Sequence, residues 1–197
     1  SRVGMVTEES FAKRIEELRA AGAKYIFLKT GAYRPADLAR ALVFASKYRL
    51  ELLTVDGAGG GTGMSPWRMM NEWGVPPVQL HSLLYRCASE LSKQGAYLPA
   101  LAVAGGFSFE DHIFKGLAMG APFVKLVGMA RAPIAAAMVG KTIGRTIETM
   151  QVPVYIERFG NNKDEIFVTA SELRRELGKD EFDKLPTGAL GLYTYYE

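Results

Sequence analysis

The sequence predicts an α/β fold with a parallel sheet, and three observations support this prediction. Four short apolar runs alternate with stretches of helical periodicity, which is the pattern of consecutive βαβ units. The runs are apolar almost throughout, as expected of strands that are buried on both faces of a sheet. Three of them end in glycine where the chain would leave the sheet. With 197 residues, of which 48% are hydrophobic, the chain can bury a sizeable core.

The first elements can be assigned in order along the chain. Residues 7–24 have an amphipathic pattern that predicts a helix with Thr7 as its N-cap. The first strand is predicted within residues 23–33. A second helix is predicted over residues 34–49, with Pro35 near its start, where the missing backbone N–H needs no partner.

The later elements repeat this pattern. A second strand leads into the glycine-rich stretch "VDGAGGGTGMSP", and Ser108 is predicted to cap the helix after the third strand. The predicted strands lie within 50–57, 99–106 and 122–131, and the predicted helices over 65–74, 80–95, 108–121 and 132–150. Four such βα units fit either half of an eight-stranded barrel or a doubly wound open sheet. Both architectures bind ligands at the carboxyl ends of their strands.

Charge and cysteine content argue against several classes of function. The net charge is +3 and the 24 Lys and Arg residues are scattered, so neither nucleic acid nor a membrane is indicated as a partner. The single cysteine, Cys87, excludes an internal disulfide and an iron–sulfur cluster held by this chain alone. His81 and His112 lack metal-ligand spacing, so no metal site is predicted. No signal peptide or membrane span is evident, and a cytoplasmic location is expected.

The ends of the third and fourth strands carry the residues of a candidate phosphate site. Gly105 and Gly106 stand directly before a predicted helix, and Gly128 and Met129 end the last strand. Glycine lets backbone N–H groups face a ligand, and a helix N-terminus adds partial positive charge. Two neighbouring strand ends of this kind favour a phosphate site over glycines that serve only tight turns.

Two charged residues end the first two strands, and each has two interpretations. Lys29 points into the mouth of the sheet, where it can face an anionic ligand or simply be solvated. Asp56 can accept a hydrogen bond from a ligand or cap the glycine turn as an Asx residue. The "GGGTG" segment lacks the Lys-Ser/Thr pair of a nucleotide P-loop, so that kind of site is excluded.

Two stretches of the chain resemble the FMN-binding domain of the glutamate synthase family. They are "KTGAYRPADLARALVFASKYRLELLTVDGAGGGTGMSPWRMMNEWGVP" and "AVAGGFSFEDHIFKGLAMGAPFVKLVGMAR", and the "GGTG-x-SP" core with a lysine one βα unit earlier carries most of the resemblance. The resemblance implies a (β/α)8 TIM barrel. This chain would supply its later βα units over residues 1–150, and residues 151–197 would be an extension that packs on the barrel.

The resemblance also implies an FMN cofactor and a set of site residues. Lys29 is the implied catalytic residue, beside the flavin and the substrate. The implied cofactor-binding residues are Lys29, Asp56, Gly60, Gly61, Thr62, Gly63, Gly105, Gly106, Gly128 and Met129. The implied substrate-binding residues are Thr62, Ser65 and Arg131.

The implied function is that of an FMN-dependent oxidoreductase acting on the CH–NH2 group of a small amino acid or on a 2-oxo acid. Ala58 and Gly59 stand where glutamate synthases often have His and Asp, and the cluster-binding cysteines of that family are absent. Electrons would therefore come from a separate donor protein or domain.

Association is also expected. The missing half of the barrel would come from the same precursor or from another chain, and open sheet edges favour an oligomer. Two alternatives remain. One is a phosphate-binding barrel of the aldolase or isomerase type, in which Lys29 would be a Schiff-base or electrostatic residue. The other is a non-catalytic half-barrel subunit that carries a cofactor.

Overall fold

A computed structural model describes residues 7–31, 34–58, 72, 74–151 and 163–185. The chain divides into two compact units, Ser1–Met129 and Ala130–Glu197. The predicted division into a barrel part over 1–150 and an extension over 151–197 concerns the assembled protein, and it stays a prediction.

The first unit alternates helices with strands, which confirms the four predicted strands. The strands are β1 (Phe27–Thr30), β2 (Leu52–Asp56), β3 (Ala100–Ala104) and β4 (Val124–Gly128). The helices are α1 (Glu8–Ala20), α2 (Pro35–Lys47), α3 (Pro77–Lys93) and α4 (Glu110–Gly120). The helix predicted over 65–74 falls almost wholly outside the described residues.

The first two helices begin where the sequence predicts. The Thr7 hydroxyl accepts a hydrogen bond from the Ser10 N–H at 3.2 Å, and the Ser10 hydroxyl accepts one from the Thr7 N–H. This reciprocal capping satisfies two backbone donors that the first turn of a helix leaves unpaired. Pro35 is the first residue of α2, as predicted.

The starts of the next two helices correct the prediction. The helix predicted over 80–95 begins earlier, at Pro77, because proline at the first helical position loses no hydrogen bond. The N-cap of α4 is Phe109 rather than Ser108, and it makes no side-chain cap. The Ser108 hydroxyl instead donates to the Gly106 carbonyl oxygen, at 3.4 Å.

The four strands form one parallel sheet in the order β1-β2-β3-β4. Each crossover therefore leads to the neighbouring strand, and the chain moves across the sheet in one direction. A doubly wound sheet reverses its strand order at a switch point, and no reversal occurs among the described strands. This arrangement is consistent with a segment of an α/β barrel.

The helices cover only one face of the described sheet. Alternate residues of β2 and β3 pack there with α1, α2 and α3 in one core, namely Leu53, Val55, Leu101 and Val103. The opposite face carries residues that are exposed or half-buried, among them Phe27, Lys29, Leu52, Thr54 and Leu126. We call this second surface the open face. Of the described strands, β3 is buried on both faces as predicted, at Leu101, Ala102 and Val103, whereas β1, β2 and β4 are buried on one face only.

The second unit contains α5 (Arg131–Thr149), α6 (Lys163–Leu177) and the short α7 (Lys179–Phe182). The first of these confirms the helix predicted over 132–150. The buried side chains described in α5 and α6 include Ile143, Thr146, Ala170 and Leu173. Among all described residues, no helix is both long enough and apolar enough to cross a membrane.

Candidate functional site

The carboxyl ends of the strands lie side by side at one edge of the sheet. Asp56 at the end of β2 pairs with Ala104 of β3, and Ala104 pairs with Gly128 at the end of β4. The last residue of β1, Thr30, pairs with Val55 one position earlier. The structure therefore brings together the ends that the sequence singled out, while the roles of their residues stay predictions.

Lys29 and Asp56 form an ion pair across β1 and β2. The Lys29 Nζ and Asp56 Oδ2 atoms are 2.9 Å apart, and the two side chains are 67% and 17% exposed. Ion pairs that are largely exposed contribute little to stability. This pair therefore has no evident structural purpose on the open face.

Asp56 has a second oxygen that the structure leaves unsatisfied. Its Oδ1 atom is buried and has no hydrogen-bond partner among the residues that the structure describes. The Asx interpretation is wrong, because the Ala58 N–H that such a turn would use donates to the Val75 carbonyl oxygen at 2.9 Å. A buried carboxylate oxygen without a donor is costly, because it loses its contact with water and gains no hydrogen bond in return.

The turn after β3 requires glycine for reasons of conformation and space. Gly105 has φ +107° and Gly106 has φ +79°, in the region that favours glycine. A Cβ atom on Gly105 would lie 2.6 Å from the Gly57 nitrogen and 2.8 Å from its carbonyl oxygen. The Gly57 N–H in turn donates to the Ala104 carbonyl oxygen at 2.8 Å. The close packing of these two turns is enough to explain why residue 105 is glycine. This agrees with the interpretation that the glycine serves a tight turn.

Small side chains line the open face between Asp56 and Gly128. Ala104 lies between them in the register. A Cβ atom added to Gly128 would be 3.2 Å from the Cβ atom of Ala104. The row therefore presents a carboxylate, one methyl group and bare backbone. Such a surface lets a flat ligand approach the main chain closely.

The N-terminus of α4 is a weaker anion site than the sequence predicts. Its first turn contains Glu110 and Asp111, which already complement the positive end of the helix dipole. A hydrogen bond from Lys115 holds the pKa of the Asp111 carboxyl below its usual range. A phosphate at this edge would rely on the backbone N–H groups of the strand-end turns rather than on the charge of the helix.

The other predicted site residues fall into three groups. Gly60, Gly61, Thr62, Gly63 and Ser65 lie outside the described residues. Arg131 begins α5 and belongs to the second unit. Met129 directly follows β4, at the end of the first unit. Across the described ranges, no three His, Cys, Asp or Glu side chains form a group that could hold a metal ion.

Sequence reasoning missed the pairing of Lys29 with Asp56 and the burial of His81. The first follows from parallel register and alternation, since both side chains point to the open face of adjacent strands. The second depended on recognising "PPVQLHSLL" as the start of a helix. Cys87 lies half-buried on that helix against the core, where burial raises the pKa of its thiol, and it needs no further role.

Comparison with known families decides the relationship of the chain. The sequence model of a conserved region in glutamate synthase matches residues 2–140, which is more than half of the chain. The chain belongs to the glutamate synthase family. No curated protein shows significant similarity to it. The matched region includes the whole sheet and the strand ends of this glutamate synthase family protein.

Proposed function

We propose that this protein is an FMN-dependent oxidoreductase that acts on a small amino acid or 2-oxo acid. The observation that carries the proposal is the Lys29–Asp56 pair on the open face, beside glycine-bearing strand ends, in a chain of the glutamate synthase family. A phosphorylated flat cofactor and an anionic substrate both suit an edge with bare backbone and one exposed ammonium group.

The described residues fit FMN. Across the described ranges no donor reaches the buried Asp56 Oδ1 atom, and the floor at Ala104 and Gly128 leaves the backbone accessible. The Gly105–Gly106 turn with Gly128 and Met129 would hold the phosphate, and Lys29 would lie at the edge of the ring. Residues 60–63 would present backbone N–H groups to the ring, by the family resemblance. When bound, FMN supplies the hydride-transfer chemistry of the reaction.

Substrate binding would use the anionic end of the molecule. Lys29 is the described cation nearest to the strand ends in the register of the sheet, and its exposure leaves the ammonium free to contact a carboxylate as well as Asp56. Thr62, Ser65 and Arg131 are proposed to complete the carboxylate site, on the resemblance alone. Lys29 then orients the substrate and stabilises negative charge that develops during the reaction.

The open face supports a complete TIM barrel. Parallel strands in sequential order, with helices on one face only, are the geometry of a barrel wall whose second face points inward. We propose that further βα units close the barrel over this face, and that electrons arrive from a separate donor protein or domain. An oligomeric, cytoplasmic protein remains part of this proposal.

The aldolase or isomerase alternative has less support from the site. A Schiff-base lysine normally lies in an apolar pocket or beside another cation. Lys29 is instead largely exposed and paired with a carboxylate. Borohydride reduction in the presence of a carbonyl substrate would attach that substrate to Lys29 only if this alternative were correct.

The absorption spectrum of the natural full-length protein tests the proposal. We expect a yellow protein that releases FMN on denaturation. Lys29→Met should weaken FMN or substrate-carboxylate binding about tenfold or more, because a charge-assisted contact is lost. Lys93→Met is the matched control, since Lys93 is also an exposed lysine paired with a carboxylate, that of Glu90. A colourless protein that takes up no added FMN would refute the proposal.

A further inference from the structure

Lys29 and Asp56 carry the charges at the strand ends that the structure describes. Across the last two residues of β1, β2, β3 and β4, every other side chain is apolar, hydroxyl-bearing or absent. Lys29 lies level with Thr54, two positions before Asp56 in the register. Its side chain therefore extends toward the carboxyl edge of the sheet to bring Nζ within 2.9 Å of Asp56 Oδ2. Because the two formal charges cancel, the described edge presents a dipole rather than a net positive charge.

Oδ2 is the oxygen of Asp56 that a ligand can reach. Oδ1 is buried, and a Cβ atom added to Gly105 would lie 3.0 Å from it, so the turn after β3 closes that side. The whole side chain is only 17% exposed, so water hydrates this carboxylate poorly. A carboxylate in such surroundings is costly to leave without an opposite charge. A ligand that engages Lys29 must therefore also keep Asp56 Oδ2 paired.

Anions and zwitterions differ in how they meet this requirement. A 2-oxo acid brings a carboxylate and no cation. If it shares the Lys29 ammonium with Asp56, two carboxylates stand against one cation, and like charges at such short range repel. An α-amino acid carries on one carbon atom a carboxylate for Lys29 and an ammonium group for Asp56 Oδ2. The four groups together stay neutral, and each charge has an opposite neighbour within hydrogen-bond reach.

We propose that the Lys29–Asp56 pair selects the zwitterion of an α-amino acid over the corresponding 2-oxo acid. The inference rests on the proposed function and names the substrate class within it. Lys29 Nζ donates to the ligand carboxylate, and the ligand ammonium donates to Asp56 Oδ2. Asp56 is thus the specificity-determining residue, whereas Lys29 serves both classes of ligand.

Binding to the natural full-length protein tests this selection without any turnover. The standard L-amino acids are screened by isothermal titration calorimetry. The tightest is then compared with its 2-oxo acid and its 2-hydroxy acid, which keep the carboxylate and lack the ammonium group. We expect the amino acid to bind about tenfold more tightly than either analogue, since each analogue loses one charge-assisted contact.

Variants assign the preference to one carboxylate. Asp56→Asn keeps the shape of the side chain but removes its charge. It should weaken amino-acid binding about tenfold and strengthen binding of the 2-oxo acid, so that the order of the two reverses. Lys29→Met should weaken the binding of both. Glu90→Gln is the matched control, because Glu90 also pairs with a lysine, Lys93, on an exposed surface, and it should leave both affinities unchanged.

Three results would overturn the selection by Asp56. They are tighter binding of the 2-oxo acid or the 2-hydroxy acid by the wild type, an amino-acid preference that persists in Asp56→Asn, and no binding of any amino acid up to its solubility limit. Circular dichroism checks that Asp56→Asn is folded, and the comparison of the three ligands on the wild type needs no variant. The flavin spectrum separates the two proposals. A yellow protein with any of these results keeps the oxidoreductase and loses the zwitterion site, whereas a flavin-free protein that shows the reversal does the opposite.

Discussion

At the scale of single residues, Gly105 connects the conformation of one turn with the position of the next. Its positive φ would strain any other residue, and its missing Cβ makes room for the backbone of Gly57. We expect Gly105→Ala to lower the free energy of unfolding by about 2–5 kcal/mol, because strain and overpacking add at this position. Urea denaturation of the full chain measures this loss.

A second glycine separates these two causes. Gly95 also has a positive φ, of +68°, but a Cβ there would meet no atom within 4 Å. Gly95→Ala should therefore cost only the backbone strain, about 1–2 kcal/mol. If both variants lose the same stability, the close approach of Gly105 to Gly57 is not what requires glycine.

At the scale of elements, the sequence predicts the type and order of the helices and strands better than the residues at which they begin. The four strands and the capped start of α1 could be predicted because apolar runs and Thr7 act locally. The start of α3 could not, because the pair Pro76–Pro77 is typical of a loop as well as of a helix N-terminus. The exposure of the open face was also hidden, since its residues Phe27, Leu52 and Leu126 are as apolar as those of the core face.

The position of His81 on α3 has a consequence for pH dependence. Burial lowers its pKa, so the folded state takes up a proton less readily than the unfolded state, in which histidine titrates near 6.5. Stability should be constant above about pH 7 and fall as pH drops below about 6.5, by at most about 1.4 kcal/mol per pH unit from this residue. Urea denaturation of the wild type between pH 7.5 and 5.5 measures this slope.

Variants assign that slope to one histidine. His81→Phe should remove most of the loss in this range, whereas His112→Gln, at the half-buried second histidine, should retain it. The pKa of the Asp111 carboxyl lies below its usual range, chiefly through its hydrogen bond with Lys115, so this group stays ionised between pH 7.5 and 5.5 in both variants. An unchanged slope in His81→Phe would mean that another group controls the acid sensitivity.

At the scale of the whole molecule, the open face connects the fold to the proposed function. Rows of the sheet place Lys29 level with Thr54, Ala102 and Leu126, and place Asp56 level with Ala104 and Gly128. In a closed barrel these rows become layers of the interior, and the row at the carboxyl end floors the active site. The same closure would bury the apolar side chains that the described residues leave uncovered and would bring the remaining residues of the cofactor site to Lys29.

Closure of the barrel predicts different effects at two positions that are exposed in this structure. Leu126 lies on the open face and is 52% exposed, whereas Val43 is exposed on the outer side of the sheet, on α2. In the natural full-length protein, Leu126→Lys should cost about 3 kcal/mol or more and release FMN, because it places an unpaired charge in the barrel interior. Val43→Lys should stay within about 1 kcal/mol, as is usual for surface substitutions. Urea denaturation and the flavin spectrum measure both variants, and equal tolerance of the two lysines would mean that the open face stays solvated and that no barrel closes over it.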